Sequence, residues 1–344
     1  MGCCEATNPG LTCDRRTALK AMLGVGALAL SACRSRPDND AAVLRLAFCG
    51  QLLCVVPYEV ALAQGRFAEQ GLNVELVYTR GGNAAMQALV GGAVEYAGTS
   101  FDVVLQAVAN GASIRRFAST GRLPLFALAS APGRRDLIRT VRDLDGTTVA
   151  ISGLGNADHA LLLFLLDRAE VDARQVRFAT IGTNVFDALR IGQVDAAMVQ
   201  EPALTLIIAA GGRELVNFMN LDEARRHLGG PYEFMGVSVR AAERDERLPE
   251  MRRLAAALAA GLVDTITLPP GDIVAALPPA LTAGSDVLQL TQILERYRES
   301  LYPKELAIEP DAARRVLQAQ ELAGLLEPGQ IDLSTLLDLA ALGS

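Results

Sequence analysis

The sequence predicts an α/β protein of two similar lobes on mostly parallel sheets. Three observations carry this. Strand-like and helix-like segments alternate over residues 44–210, as in successive βα units. Glycine, hydroxyl or amide residues stand where strands give way to helices, as at Cys49-Gly50-Gln51, Gly82-Asn83, Thr99-Ser100 and Ser152-Gly153. The run ALVGGAVEYA from Ala88 has a counterpart in ALRIGQVDAA from Ala188, which marks a second, similar lobe and not a short tandem repeat.

Each element follows from its local pattern. Leu44, Leu46 and Phe48 alternate as in a half-buried strand. Val56, Val60, Ala61 and Ala63 then recur at helical spacing, Gly65 closes the helix, and Leu72, Val74 and Leu76 form the next strand. A helix over 84–90, a strand over 94–97, a helix from about Asp102 capped by Ser100, and a strand over 114–118 complete the first run. After Leu123-Pro124 come strands over 125–129, 148–151, 176–181 and 194–199, with helices over 158–169, 185–191 and 202–210. Residues 234–239 read as a return strand. The chain looks helical from Glu250 on, and amphipathic segments 314–325 and 333–342 are expected to wrap the first lobe.

Residues 1–32 read as an export signal. Arg15-Arg16 precede an apolar run over 21–30, too short for a bilayer, which takes about 20 residues. The twin arginines resemble the signal for folded-protein (Tat) export. Leu30-Ser31-Ala32-Cys33 resembles a bacterial lipobox, which implies cleavage before Cys33, lipidation of its thiol, and a periplasmic protein held to the membrane by lipid. Residues 33–42 form a polar tether. Of the six cysteines, Cys3, Cys4 and Cys13 leave with the signal, and Cys49 and Cys54 remain in an oxidising compartment. That pair is compatible with a disulfide, with ligand-facing thiols or with packing thiols.

Composition removes several functions. Net charge is −7, no basic stripe is present, tryptophan is absent and aromatics are 5%, so a nucleic-acid partner is not expected. The two histidines, His159 and His227, do not form a zinc-spaced pair, and there is no Gly-x-Ser-x-Gly elbow, dinucleotide fingerprint or P-loop lysine. No catalytic residue, metal centre or cofactor is expected, and the chain reads as a non-enzyme.

Several segments resemble the substrate-binding proteins of bacterial ABC importers, in the nitrate/taurine/aliphatic-sulfonate and thiamine-pyrimidine branch. They are Val60-Ala61-Leu62-Ala63-Gln64-Gly65-Arg66-Phe67, the paired runs at Ala88 and Ala188, Asp143-Leu144-Asp145-Gly146, and Gly192-Gln193-Val194-Asp195-Ala196 leading to Glu201-Pro202. The resemblance implies a monomeric, two-lobed type II periplasmic binding protein. One lobe holds residues 43–121 and 242–344, the other 122–241, with two chain crossings as a hinge. It implies that a small molecule binds between the lobes and passes to a permease and its ATPase. The leading ligand is a small anion such as a sulfonate or nitrate-like solute. The alternatives are a neutral heteroaromatic (a pyrimidine or flavin precursor) and a thiophilic solute or metal on Cys49 and Cys54. A pyrimidine-synthase-like enzyme or a ligand-sensing partner is the reading from another class. Many relatives carry polar, aromatic or histidine residues in the first loop. Here it carries Cys49, Gln51 and Cys54 among aliphatics, and the specificity of this chain is expected there.

The other candidate ligand residues sit at strand–helix edges, where open α/β sheets bind ligands. Ser152, Gly153 and Asn156 form either an anion-binding helix start or a tight turn. Gly82, Asn83, Thr99 and Ser100 are the first-lobe edges, and Asn184 matches them in the second. Glu201 offers a carboxylate to ligand or hinge, or opens a helix. Tyr58 and Phe234 line the pocket or fill the core.

Overall fold

The computed structural model describes residues 42–50, 52–282 and 286–342. The export signal, Cys33 and Gln51 lie outside the described residues. Ten strands are β1 Val43–Cys49, β2 Asn73–Thr79, β3 Tyr96–Ser100, β4 Ile114–Gly121, β5 Ala127–Ser130, β6 Thr148–Ile151, β7 Arg177–Thr180, β8 Ala196–Val199, β9 Arg213–Asn217 and β10 Met235–Arg240. They form two five-stranded sheets, in the orders β2-β1-β3-β10-β4 and β7-β6-β8-β5-β9. In each sheet two neighbouring pairs are parallel and two antiparallel, so the sheets are mixed where mostly parallel ones are expected. One strand per lobe arrives from a crossing and enters reversed: β10 between β3 and β4, and β5 between β8 and β9. Since β10 pairs in the first sheet, the chain returns to the first lobe before Met235, not at 241 as the sequence suggests.

β1 is buried on both faces, Ala47 as deeply as Leu46, because helices cover both sides of this interior strand. Helix α1 (Leu52–Ala63) is buried over ten successive residues, Leu52 to Ala61. Its apolar circumference suits a helix enclosed by others. α9 (Arg244–Thr267) presses closely against it: a Cβ on Gly261 would stand 2.6 Å from Ala61 Cβ. Short α2 (Arg66–Glu69) is tied to α9 by Arg66, whose Nε donates to Asp264 Oδ2 at 2.7 Å.

α3 (Gly82–Val90) and α4 (Phe101–Ala109) belong to the first lobe. α5 (Ala157–Arg168), α6 (Val185–Arg190), α7 (Ala203–Ala209) and α8 (Leu221–Leu228) belong to the second. β9 and α8 are absent from the sequence expectation. α8 is nonetheless well signed, since the Asn220 side chain accepts N–H bonds from Asp222 and Glu223.

The closing segment comprises α10 (Pro270–Ala276), α11 (Pro279–Thr282), α12 (Val287–Leu301), α13 (Pro310–Leu322) and α14 (Leu333–Leu336). α13 packs on α4 and on α5, so it braces both lobes and does not wrap the first alone. Of residues 333–342 only the first turn is helical; Leu337 then bridges to Arg116 of β4.

The two crossings run side by side. Tyr232 N–H donates to Arg122 O at 2.9 Å and Phe234 N–H to Gly121 O at 3.0 Å. The Arg116 side chain, fully buried, pairs with buried Glu233 at 3.0 Å. It also donates to the carbonyls of Thr99, Phe234 and Gly236. One guanidinium thus ties β3, β4, β10 and the returning crossing together.

Candidate functional site

Between the lobes lies a cavity of about 590 Å³. The ends of β1 and β2 and the starts of α1, α3 and α4 form its first-lobe wall. Ser152, Ala157, Asp158, Gly182 and Gln200 line the second-lobe wall. The crossings supply the floor, where Phe126 and Phe234 meet edge to face at 6.0 Å beside Met235.

Seven expected residues line this cavity: Cys49, Cys54, Gly82, Ser100, Ser152, Asn156 and Phe234. Tyr58 does not. It is fully buried beneath β1, stacked on Phe48 and within 2.9 Å of Thr120 Oγ1. Thr99 is buried, and its carbonyl serves Arg116. Gly153 lies beneath the Asn156 amide. Asn83 stands at the mouth, Asn184 is exposed just before α6, and Glu201 is buried with its carboxylate on the Thr205 N–H and hydroxyl, both at 3.0 Å. Glu201 therefore fills the helix-start role for α7. Ser100 occupies the N-cap position of α4, but its side chain makes no capping bond.

Residues outside the sequence expectation include Thr79, Arg80, Gly81, Val103, Phe126, Asp158, Gln200 and Met235. Arg80 is exposed and, among the described residues, has no ion-pair or hydrogen-bond partner. It immediately precedes α3, whose first turn carries no acid and whose N-cap, Gly81, makes no side-chain cap. Open N–H groups and a positive helix end thus sit beside an unpaired cation.

The second lobe differs. Asp158, in the first turn of α5, is 1% exposed and accepts from the Ser152 N–H at 2.5 Å and the Ser152 hydroxyl at 2.7 Å. Burial raises its carboxyl above the ordinary range, and those hydrogen bonds pull it back. The Gly155 N–H donates to His159 Nδ1 at 3.1 Å. That nitrogen is therefore unprotonated, in line with burial lowering the histidine's pKa. Two backbone donors that could face an external anion here serve the helix's own side chains, so electropositive character concentrates on the first lobe.

Cys49 and Cys54 are buried thiols, not a disulfide. A hydrogen bond from the Cys54 thiol to Cys49, then burial, raise the Cys54 pKa well above its usual value. A neutral thiol is a poor nucleophile and metal ligand. Among the described residues no group of three or more His, Cys, Asp or Glu is placed to hold a metal ion.

Two mixed sheets, paired crossings and an interlobe cavity define a type II periplasmic-binding-protein fold. The chain belongs to the NMT1/THI5-like family, whose model matches residues 55–269. Similar solved structures include a protein of Bordetella bronchiseptica RB50, with TM-score 0.78 and 23% identity over 88% of this chain and 96% of that one. The alkanesulfonate-binding protein SsuA of Xanthomonas axonopodis pv. citri, bound to MOPS, matches with TM-score 0.67 and 20% identity over 86% and 98%. The periplasmic nitrate-binding protein NrtA of Synechocystis PCC 6803 matches with TM-score 0.68 and 12% identity over 88% and 87%. These neighbours are alike in fold. No curated protein sequence matches the chain.

Proposed function

We propose that this chain is the extracytoplasmic solute receptor of an ABC importer and that it captures an organic anion between its lobes. The observation that carries this is Arg80, without a partner among the described residues, on the cleft wall beside the uncapped start of α3. The cavity volume, about 590 Å³, suits a solute with an organic body more than bare nitrate. Phe126, Phe234 and Met235 give that body an apolar bed, so an alkyl or aryl sulfonate or carboxylate fits best. The same aromatic floor supports a second reading, a neutral heteroaromatic such as a pyrimidine. Burial of both thiols and the raised pKa of Cys54 argue against a thiophilic metal.

A thermal-shift screen of the chain from Cys33 onward, against sulfonates, carboxylates, nitrate and pyrimidines, tests both readings. A solute at a hundredfold excess over its Kd adds about 2.7 kcal/mol of stability. The expected result is stabilisation by an organic anion that Arg80→Gln abolishes. Stabilisation by pyrimidines that survives Arg80→Gln overturns the anion reading in favour of the second.

The lipobox-like Leu30-Ser31-Ala32-Cys33 supports a lipid anchor after export. Among the described residues no helix is long and apolar enough to cross a membrane. Cys33→Ala is expected to move the protein from the membrane to the soluble periplasmic fraction, and continued membrane retention rejects the anchor. A permease and its ATPase are the partners this role requires.

A further inference from the structure

A side-chain hydrogen bond joins the two lips of the cleft: Asn83 Nδ2 donates to Asn156 Oδ1 at 2.8 Å. Asn156 is the N-cap of α5, a position where asparagine ordinarily caps the backbone, yet its side chain makes no capping bond. Its Nδ2 instead donates to Ser152 Oγ at 2.9 Å, and the Ser152 hydroxyl donates to Asp158 Oδ1 at 2.7 Å. A Cβ on Gly153 would stand 2.8 Å from Asn156 Nδ2, so only glycine leaves room for that amide.

The relay has a fixed direction. Both Asp158 oxygens accept, Oδ2 from the Ser152 N–H and Oδ1 from the Ser152 hydroxyl, so Ser152 donates to it. Ser152 then accepts from the Asn156 amide, which turns the Asn156 carbonyl oxygen toward the first lobe. That oxygen needs a donor, and Asn83 supplies one. The second-lobe side is anchored on a buried carboxylate, while the first-lobe side is one exposed amide.

We infer that the Asn83–Asn156 bond is a latch that favours the closed cleft without solute, with Asn156, Ser152 and Asp158 as positioning residues that present its acceptor. The inference rests on the two-lobed receptor reading and adds a solute-independent contribution to closure.

The test uses the chain from Arg34 onward, without solute, carrying nitroxide labels at Gln87→Cys on α3 and Asp187→Cys on α6, both exposed. Pulsed electron paramagnetic resonance reads the interlobe distance. Asn83→Asp is isosteric and offers only acceptors, so it faces the Asn156 oxygen unproductively. Turning Asn156 to meet it would place two acceptors on the single Ser152 proton. An acid in the first turn of α3 is otherwise favourable to the helix. The expected result is a longer-distance population, with the open-to-closed ratio raised about fivefold, as befits one neutral hydrogen bond, and no fall in melting temperature. An unchanged distance distribution in Asn83→Asp and in Asn83→Ala overturns the latch. So does a longer distance accompanied by lower stability, which marks helix damage. No solute enters the measurement, so failure here leaves the anion reading to its own screen.

Discussion

Tyr302 repairs a gap that Pro57 makes in α1. Proline has no N–H, so the Leu53 carbonyl one turn earlier loses its helical partner. The Tyr302 hydroxyl donates to that carbonyl at 2.9 Å, and the ring is buried. Tyr302→Phe keeps the packing and strands the carbonyl, so it is expected to cost about 1–3 kcal/mol in urea unfolding. A loss under about 0.5 kcal/mol would show that the gap is filled another way. The sequence announces Pro57 but not its partner, which stands just past the end of distant α12. Seven of the expected residues line the cavity, and one of the misses falls a single step away. Glu201 stands out by its charge beside proline, yet the cavity is lined by Gln200, because successive residues leaving a strand face opposite ways. Arg80 follows the same strand-edge logic that picks Ser100 and Ser152. It is overlooked because arginine at a strand end ordinarily reads as a solvated charge.

At the level of elements, β1, α1 and β2 were plain from apolar spacing, and so were most βα units of both lobes. The exceptions have physical causes. β9 is a short edge strand with two charged residues in five, a composition that protects edges and hides alternation. The partners of β10 are set by the crossing, which local pattern does not encode. α13 reads as an amphipathic surface helix, but its inner face meets both lobes. It carries buried Gln320, whose Nε2 donates to Asp102 Oδ1 at 2.8 Å, beside the Tyr232 hydroxyl at 2.9 Å on the same oxygen. Burial pushes the Asp102 carboxyl up to about 6, with those two bonds opposing and nearby Asp158 adding to the rise. The folded state thus holds this proton more tightly than the unfolded chain does. The contribution to stability is complete below about pH 4 and is lost as pH rises through 6, on the order of 3 kcal/mol at about 1.4 kcal/mol per pH unit. Asp102→Asn is expected to flatten the melting temperature across pH 4–6. An unchanged slope would place the titration elsewhere, in Asp158, Glu201 or Glu233, which burial displaces the same way.

For the whole molecule, the two-lobe plan was readable because the sequence repeats its own pattern after a hundred residues. The grip between the lobes was not. What joins the lobes is α13, packed on α4 and α5, while Arg116 and Glu233, unremarkable charges in the sequence, become a buried pair that clasps the return crossing onto the first sheet. A pair of that kind contributes mainly through the penalty for leaving either member alone in the interior. The first lobe is also closed by chain from far away. Leu53 waits on Tyr302, 249 residues later, and Arg66 on Asp264, 198 residues later. The second sheet, by contrast, is drawn from one continuous stretch, β5 to β9. During synthesis the order is therefore inverted. The first lobe begins to emerge before the second yet is finished after it, and its apolar helix α1 stays uncovered until α9 has emerged.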